Sequence, residues 1–286
     1  MSDVFSRFAP FIQDYIYRCK WEELREIQVL AAKAIFDTDE NLLLSSGTAS
    51  GKTEAAFLPV LTQLWENPSA SVGVLYLSPL KALINDQFER LEGLLEEAAI
   101  PVTKWHGDAS AAAKKRVMKR PQGVIQTTPE SLESMLMHNS SGAYRLFSDL
   151  RFIIIDEMHY FMDNDRGLQL LCLLERLARL IGYHPRRIGL SATLGDCTSA
   201  VQWLNTDSGR DCIVPKCHEK GRSLRLSVRF FPIKEKIPNS DSKVLLQNYY
   251  DYLFESTWNK RCILFSNSKG EVEENIAHLR RIAAER

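Results

Sequence analysis

Residues 41–65 read NLLLSSGTASGKTEAAFLPVLTQLW, and their order decides the fold. The unbroken apolar run at 41–46 is the pattern of a strand covered on both faces. The stretch TEAAFLPVLTQLW that follows has the apolar spacing of a helix. Between them lies a loop ending in Gly51-Lys52-Thr53. A strand, a loop and a helix start in that order make a phosphate-binding site, because unsatisfied backbone N–H groups at the helix start face the anion. The usual Gly-x-x-x-x-Gly-Lys-Thr pattern has its first glycine at position 46, where this chain carries Ser46. Lys52 is placed to reach the β- and γ-phosphates, and the Thr53 hydroxyl to bind Mg²⁺.

Further strands are predicted at SVGVLYLSP (71–79), PVTKWHG (101–107), GVIQTTP (123–129), RFIIIDE (151–157) and RIGLSAT (187–193). LKALINDQFERLEGLLEEAA (80–99) has helical spacing. The alternation of strands and helices is that of an α/β domain with a mostly parallel sheet. One strand delivers Asp156 and Glu157 at its carboxyl end. Asp156 stands where a Mg²⁺-holding acid belongs beside a phosphate loop, and Glu157 where a base can orient and deprotonate water. Ser191 and Thr193 end another strand and are candidates to couple γ-phosphate loss to domain movement.

The 286 residues carry 36 basic and 36 acidic side chains, so no global basic field marks a nucleic-acid partner. Lys114, Lys115, Arg116, Lys119 and Arg120 form a local basic run, and Arg222, Arg225 and Arg229 alternate along a strand-like stretch. Each run alone is first read as a solvated face. No apolar run approaches the ~20 residues of a membrane helix. The opening MSDVFSRFAPF lacks a signal-peptide layout, which makes a cytoplasmic location the expectation. The six cysteines include no Cys-x-x-Cys pair and suit reduced thiols better than a metal site.

Beyond about residue 205 the texture becomes polar and turn-rich. LRLSVRFFPI alternates like a half-exposed strand, VLLQNYYDYLFEST reads as a helix, RCILFSN as a buried strand and EVEENIAHLRRIAAER as a helix. A helix, one strand and a helix do not close a parallel sheet of their own. The expected organisation is therefore a nucleotide-binding domain at 1–205, a connecting region at 206–242 and the start of a second domain at 243–286.

These motifs together resemble the first motor domain of superfamily 2 helicases, the group of the DEAD- and DEAH-box proteins. Ser46, Thr48 and Gly51-Lys52-Thr53 match that family's loop, Ala-x-Thr-Gly-x-Gly-Lys-Thr, so the missing first glycine is a family habit. The departure is Ala49 in place of the middle glycine, which a backbone with φ below zero tolerates. The resemblance implies a RecA-like, P-loop NTPase fold with a linker and an incomplete second RecA-like domain. It implies that Thr48, Ala49, Ser50, Gly51, Lys52, Thr53 and Glu54 line ATP. LREIQ resembles the adenine-reading Q motif, which makes Gln28 the partner of the base. Thr53 and Asp156 would hold Mg²⁺, and Lys52, Asp156 and Glu157 would carry catalysis. DEMH and SAT resemble motifs II and III, with His159, Ser191 and Thr193 in coupling. SPLKALINDQ and TTPESL resemble motifs Ia and Ib, which places Pro79, Leu80, Lys81, Thr127, Thr128 and Glu130 at nucleic-acid phosphates. Ser266 and Asn267 match motif IV of the second motor domain, which also faces nucleic acid.

WHGD, TTPESLESML, DEMH, RGLQLLCLLERL and RIGLSATLGD resemble the Lhr-like and YprA-type subgroup, whose members act on DNA or mixed DNA–RNA duplexes. The expectation is an ATP-dependent helicase or translocase motor on single-stranded DNA or a DNA-containing duplex, with RNA possible and no membrane partner. Motifs V and VI do not occur, so full activity would need a second motor domain or a partner chain. By itself the chain should bind ATP weakly and hydrolyse it slowly or not at all. The alternatives are a DEAD-box RNA helicase, which the DEMH and WHGD signals disfavour, and a truncated, non-catalytic binding module. Trp105 and His106 are read either as a turn bracing the nucleic-acid surface or as packing. Arg166 is read either near the strand or as a surface arginine.

Overall fold

Six of the apolar runs become parallel strands of one sheet: β1 (Asn41–Ser45), β2 (Val72–Leu77), β3 (Val102–Trp105), β4 (Gly123–Thr127), β5 (Phe152–Ile155) and β6 (Arg186–Ser191). A two-residue strand, β7 (Cys212–Ile213), completes the order β3-β4-β2-β5-β6-β1-β7, and every pairing is parallel. The computed structural model describes residues 3–47, 50–80, 84, 94–95, 98–192, 194–217, 226–231 and 242–285. Thr48, Ala49, Lys81 and Thr193, and most of the helix expected over 80–99, lie outside them.

Successive strand side chains point to opposite faces. Leu42, Leu44, Val74, Tyr76, Val124, Ile154, Ile188 and Leu190 pack in the same core as α1 (Pro10–Arg18), α2 (Glu26–Asp37) and α3 (Lys52–Glu66). Leu43, Leu75, Leu77, Ile125, Ile153 and Ile155 form a second core. It takes side chains from α4 (Ala111–Lys119), α5 (Pro129–His138), α6 (Ser140–Phe147), α7 (Asp165–Ile181) and α8 (Thr198–Asn205). Both faces are covered, which is why these runs do not alternate in sequence. The RecA-like fold class implied by the motifs is the one observed.

Polar side chains pin the amino-terminal edge of the sheet. Asn41, fully buried in β1, accepts from the Arg187 backbone N–H at 2.8 Å and donates to Asn205 Oδ1 and Ser208 Oγ. Arg186 is 4% exposed, and its guanidinium donates to the carbonyls of Ala34, Ile35, Thr38 and Glu40. Three of these belong to the last turn and cap of α2, where carbonyls lack helical partners. Burial pushes the Arg186 guanidinium down to about 10, so it stays charged at neutral pH. Arg187 caps α8 in the same way, through the carbonyls of Leu204 and Thr206. A lone apolar run thus carries two arginines at its start, each closing the end of a helix on one face.

The described chain divides into two compact units, Met1–Glu219 and Lys220–Arg286. β7 falls in the stretch read from sequence as connecting region, and two residues carry no periodicity to announce it. In the second unit α9 (Ser242–Thr257) packs on α10 (Lys269–Glu285) through Tyr250, Phe254 and Ile282. Tyr250 stacks on His278 with ring centroids 4.0 Å apart. Two expectations fail here. RCILFSN forms no strand, and Ile263 and Phe265 are 81% and 89% exposed. The described part of LRLSVRFFPI, residues 226–231, forms none either. A strand is satisfied only by a ladder partner, and among the described residues neither run has one.

Arg186→Met should lower the stability of the first unit by about 3 kcal/mol, because it strands buried carbonyls at the end of α2. Urea unfolding followed by far-UV circular dichroism measures it, and a loss below about 1 kcal/mol would contradict this account.

Candidate functional site

Parallel pairing brings the carboxyl ends of β1, β6, β5, β2 and β4 to one edge in that spatial order. In open α/β sheets ligands bind outside this edge. The segments at this edge carry Ser46, Gly47 and Ser50–Lys52, Ser191–Ala192, Asp156–His159, Ser78–Leu80 and Thr127–Pro129. The residues singled out from sequence in the first unit are therefore neighbours, apart from those outside the described residues.

The phosphate loop begins where β1 ends. Ser45 Oγ donates to the Ala192 carbonyl at 3.2 Å and accepts from the Leu194 N–H at 3.1 Å, which ties the loop to the end of β6. Ser46 Oγ and Ser50 Oγ lie 2.6 Å apart and close the loop across its mouth. The Lys52 ammonium donates to the carbonyls of Ser46 and Gly47 at 2.6 and 2.9 Å. Gly51 precedes α3 at φ +86, a left-handed conformation, and no side chain caps the helix there. The Gly51 carbonyl accepts from the Ala55 N–H at 2.9 Å, the first hydrogen bond of the helix. A Cβ on Gly51 would lie 2.9 Å from Gln28 Nε2, so the sequence-predicted base reader sits against the loop. Gln28 is buried, and its Oε1 accepts from the Arg25 N–H at 2.9 Å, which caps α2.

Asp156 is 7% exposed. Its Oδ2 accepts from the Tyr76 hydroxyl and its Oδ1 from the Glu157 N–H at 3.0 Å. Burial pushes the Asp156 carboxyl above its ordinary range; the Tyr76 hydrogen bond works in the opposite direction, and the nearby Glu157 charge adds to the rise. Glu157 itself takes a left-handed backbone, φ +46, where a residue with a side chain is strained. His159 Nδ1 lies 3.3 Å from Glu157 Oε2 and 3.4 Å from both Ser191 Oγ and the Ala192 nitrogen. One ring nitrogen either accepts from Ala192 or, protonated, pairs with Glu157. The DEMH turn and the end of β6 are joined through that choice.

At the ends of β2 and β4, Pro79 is buried and Leu80 is 52% exposed. Thr127 and Thr128 are buried, with Thr127 Oγ1 donating to the Trp105 carbonyl at 2.6 Å and Thr128 Oγ1 to Ser131 Oγ at 3.3 Å. Their hydroxyls are engaged inside the fold. Glu130 is held by Arg166, whose Nε donates to Glu130 Oε1 at 2.7 Å and whose Nη2 donates to the Pro79 carbonyl at 2.7 Å. Burial raises the Glu130 carboxyl, but the Arg166 hydrogen bond and the acid's own backbone N–H hold it below its ordinary range. Gly167 follows because a Cβ there would lie 1.5 Å from the Phe161 carbonyl oxygen. Lys114 donates to the His106 carbonyl at 2.6 Å, so one member of the basic run braces the WHGD turn. In the second unit Ser266 Oγ accepts from Asn275 Nδ2, and the Asn267 N–H donates to Glu271 Oε2 at 2.8 Å.

Tyr76 was not singled out from sequence, and Arg166 was left open there. A signal for Tyr76 existed: alternation puts the residue paired with Ile154 on the same face as Asp156.

A family model described as DEAD/DEAH box helicase matches residues 25–200. The ATP-dependent helicase Lhr-Core of Methanocaldococcus jannaschii is 31% identical over 289 residues, 94% of this chain and 33% of that protein. The Lhr helicase/probable uracil glycosylase of Mycolicibacterium smegmatis is 32% identical, covering 86% of this chain and 17% of its own length. The solved structure of Mycobacterium smegmatis helicase Lhr bound to ssDNA and AMP-PNP superposes with a TM-score of 0.75 at 28% identity. That likeness covers 99% of this chain and 37% of the other. The chain spans about a third of the length of the Lhr-Core relatives it matches.

Arg166→Ala should cost about 1–2 kcal/mol and speed amide exchange at Ser78, Leu80 and 130–133, because one fork joins the end of β2 to the start of α5. Arg166→Lys should restore little of this, since an ammonium lacks the fork. Unchanged exchange at both segments would count against the clamp.

Proposed function

The chain belongs to the DEAD/DEAH box helicases, and from that premise we propose that it is the ATP-binding motor part of a DNA helicase or translocase acting in the cytoplasm. The observation that carries the reading is adjacency. The phosphate loop after β1 and the acid pair after β5 flank the end of β6, and Ser45 and His159 are bonded to that middle strand from either side. The M. smegmatis Lhr structure holds ssDNA and AMP-PNP, and Hel308 of Methanococcus vannielii, a DNA helicase, is 30% identical over 261 residues. These relatives favour DNA over RNA. The proposed domain organisation is a motor domain reaching into β7, a connecting segment, and α9–α10 as part of a second motor domain.

The residues suit Mg-ATP. A helix starts after the loop at Gly51–Lys52, the arrangement that suits a phosphate, and the Asp156 carboxyl is oriented at the same edge by two hydrogen bonds. When bound, Mg²⁺ would supply neutralisation of the phosphate charge. In this reading Thr48 through Glu54 line the nucleotide and Gln28 meets the base. Lys52 exchanges its loop carbonyls for phosphate oxygens. Thr53 and Asp156 hold the metal, and Glu157 orients and deprotonates the attacking water. His159, Ser191 and Thr193 report the state of the phosphate to the rest of the edge. In the first unit nucleic acid meets Pro79, Leu80, Lys81, Thr127 and Thr128; in the second unit, taken by itself, Ser266 and Asn267 are the residues that face it. Because the hydroxyls of Thr127 and Thr128 are engaged, the contact there is made by main-chain groups. Such contacts are blind to sequence.

Two outcomes test this. Lys52→Ala should weaken binding of a fluorescent ATP analogue by ~10–100-fold, the worth of one hydrogen bond to a charged group. Single-stranded DNA should bind regardless of sequence, its affinity falling with salt by ~0.7 in logarithmic slope per phosphate contacted. Equal nucleotide binding by wild type and Lys52→Ala, or a salt-independent DNA affinity, would sink the reading. A complex with RNA at least as tight as with DNA of the same length would overturn the choice of DNA.

A further inference from the structure

We propose that Tyr76 is a positioning residue for the metal-holding acid, fixing Asp156 in the one orientation that meets the Mg-nucleotide. The inference rests on the proposed role of Asp156. Tyr76 is fully buried in β2, and its hydroxyl donates to Asp156 Oδ2. The Glu157 N–H occupies Oδ1, and the Asp156 backbone N–H donates to the Leu77 carbonyl at 2.8 Å. The acid is thereby held at three points, two of them supplied by neighbouring residues of β2.

Its two carboxylate oxygens each take one fixed donor and keep further lone pairs. A carboxylate held so does not rotate, and its charge remains tolerable in a nearly buried place. Without the hydroxyl, only the Glu157 N–H orients the carboxylate, and the buried charge loses one of its two donors. Outer partners of metal ligands act this way, and their loss typically costs ~10–100-fold in metal affinity. The ring has a separate task. It fills the core beside Phe57 at a centroid distance of 5.6 Å, and Phe at position 76 keeps that contact.

The position also gives Tyr76 a second neighbour along the chain. Three residues further on, the Pro79 carbonyl accepts from Arg166. One strand end therefore touches the acid at Tyr76 and carries the proposed nucleic-acid loop at Pro79 and Leu80.

The test is a Mg²⁺ titration of fluorescent ATP-analogue binding to the 286-residue chain, its Tyr76→Phe and Asp156→Asn variants, and the double variant. Tyr76→Phe should raise the Mg²⁺ concentration at half-saturation ~10-fold while nucleotide affinity in EDTA stays within about twofold. Asp156→Asn should remove most of the Mg²⁺ dependence, and adding Tyr76→Phe to it should change nothing further, as expected of a residue acting only through Asp156. A Mg²⁺ shift below about twofold in Tyr76→Phe, with Asp156→Asn impaired, overturns the inference alone. Loss of nucleotide affinity in EDTA as well overturns it too, as a structural role. An Asp156→Asn variant with unaltered Mg²⁺ dependence overturns the proposed role of the acid itself, and the inference with it.

Discussion

Parallel pairing is the constraint from which the rest follows. Strands that run the same way send all their carboxyl ends to one edge, and five of the seven here are followed at that edge by residues of the candidate site. The order β1-β6-β5-β2-β4 then fixes which loops touch. The phosphate loop meets the end of β6, the end of β6 meets the acid turn, and the acid meets β2. Residues more than a hundred positions apart in sequence, such as Ser45 and Ala192, become hydrogen-bonded neighbours. Parallel strands need long crossovers, and the helices that supply them cover both faces and remove the sheet from water. One geometric fact thus accounts for the apolar runs, the two cores and the assembled site.

The two edges of the sheet treat their polar groups differently. At the amino edge Asn41, Arg186 and Arg187 close helix ends and backbone groups with several bonds each, all within the protein. At the carboxyl edge the groups have bonds that can be exchanged. Lys52 rests on two carbonyls of its own loop, His159 has a choice of partners on one nitrogen, and Glu157 sits in a strained backbone. Strain of that kind costs about 1–3 kcal/mol and persists where the surroundings over-determine it. The fixed edge is what allows the exchangeable edge to exist.

Much of this was legible in the sequence, for a physical reason. A strand buried on both faces must be apolar throughout, so β1, β2, β4, β5 and β6 announce themselves, and the residues just after each run are the loops of the edge. The phosphate loop is read directly because its chemistry is local, and Ser46 finds its use in the bond to Ser50. What was illegible depends on distant partners. Two-residue β7 exists only because β1 offers an edge. RCILFSN has strand composition but no described strand beside it, and composition alone does not supply a ladder. Arg186 and Arg166 look like any charged residue until the carbonyls they serve are known. The hydroxyls of Thr127 and Thr128 match a nucleic-acid motif yet are spent inside the fold, since sequence shows the residue and not the direction of its side chain.

The loop's own bonds bear on what nucleotide binding is worth. Lys52 is satisfied before any ligand arrives, by the Ser46 and Gly47 carbonyls. In the proposed reading a phosphate would replace two charge-assisted bonds, and only the difference between old and new partners would appear as affinity. The gain comes from the change of partner, since a phosphate oxygen carries charge and a carbonyl only a dipole. A lysine so restrained costs little entropy on binding, because its chain is already folded back over the loop. In that reading the same two self-contacts that a phosphate must displace also hold the lysine beside the loop it would serve.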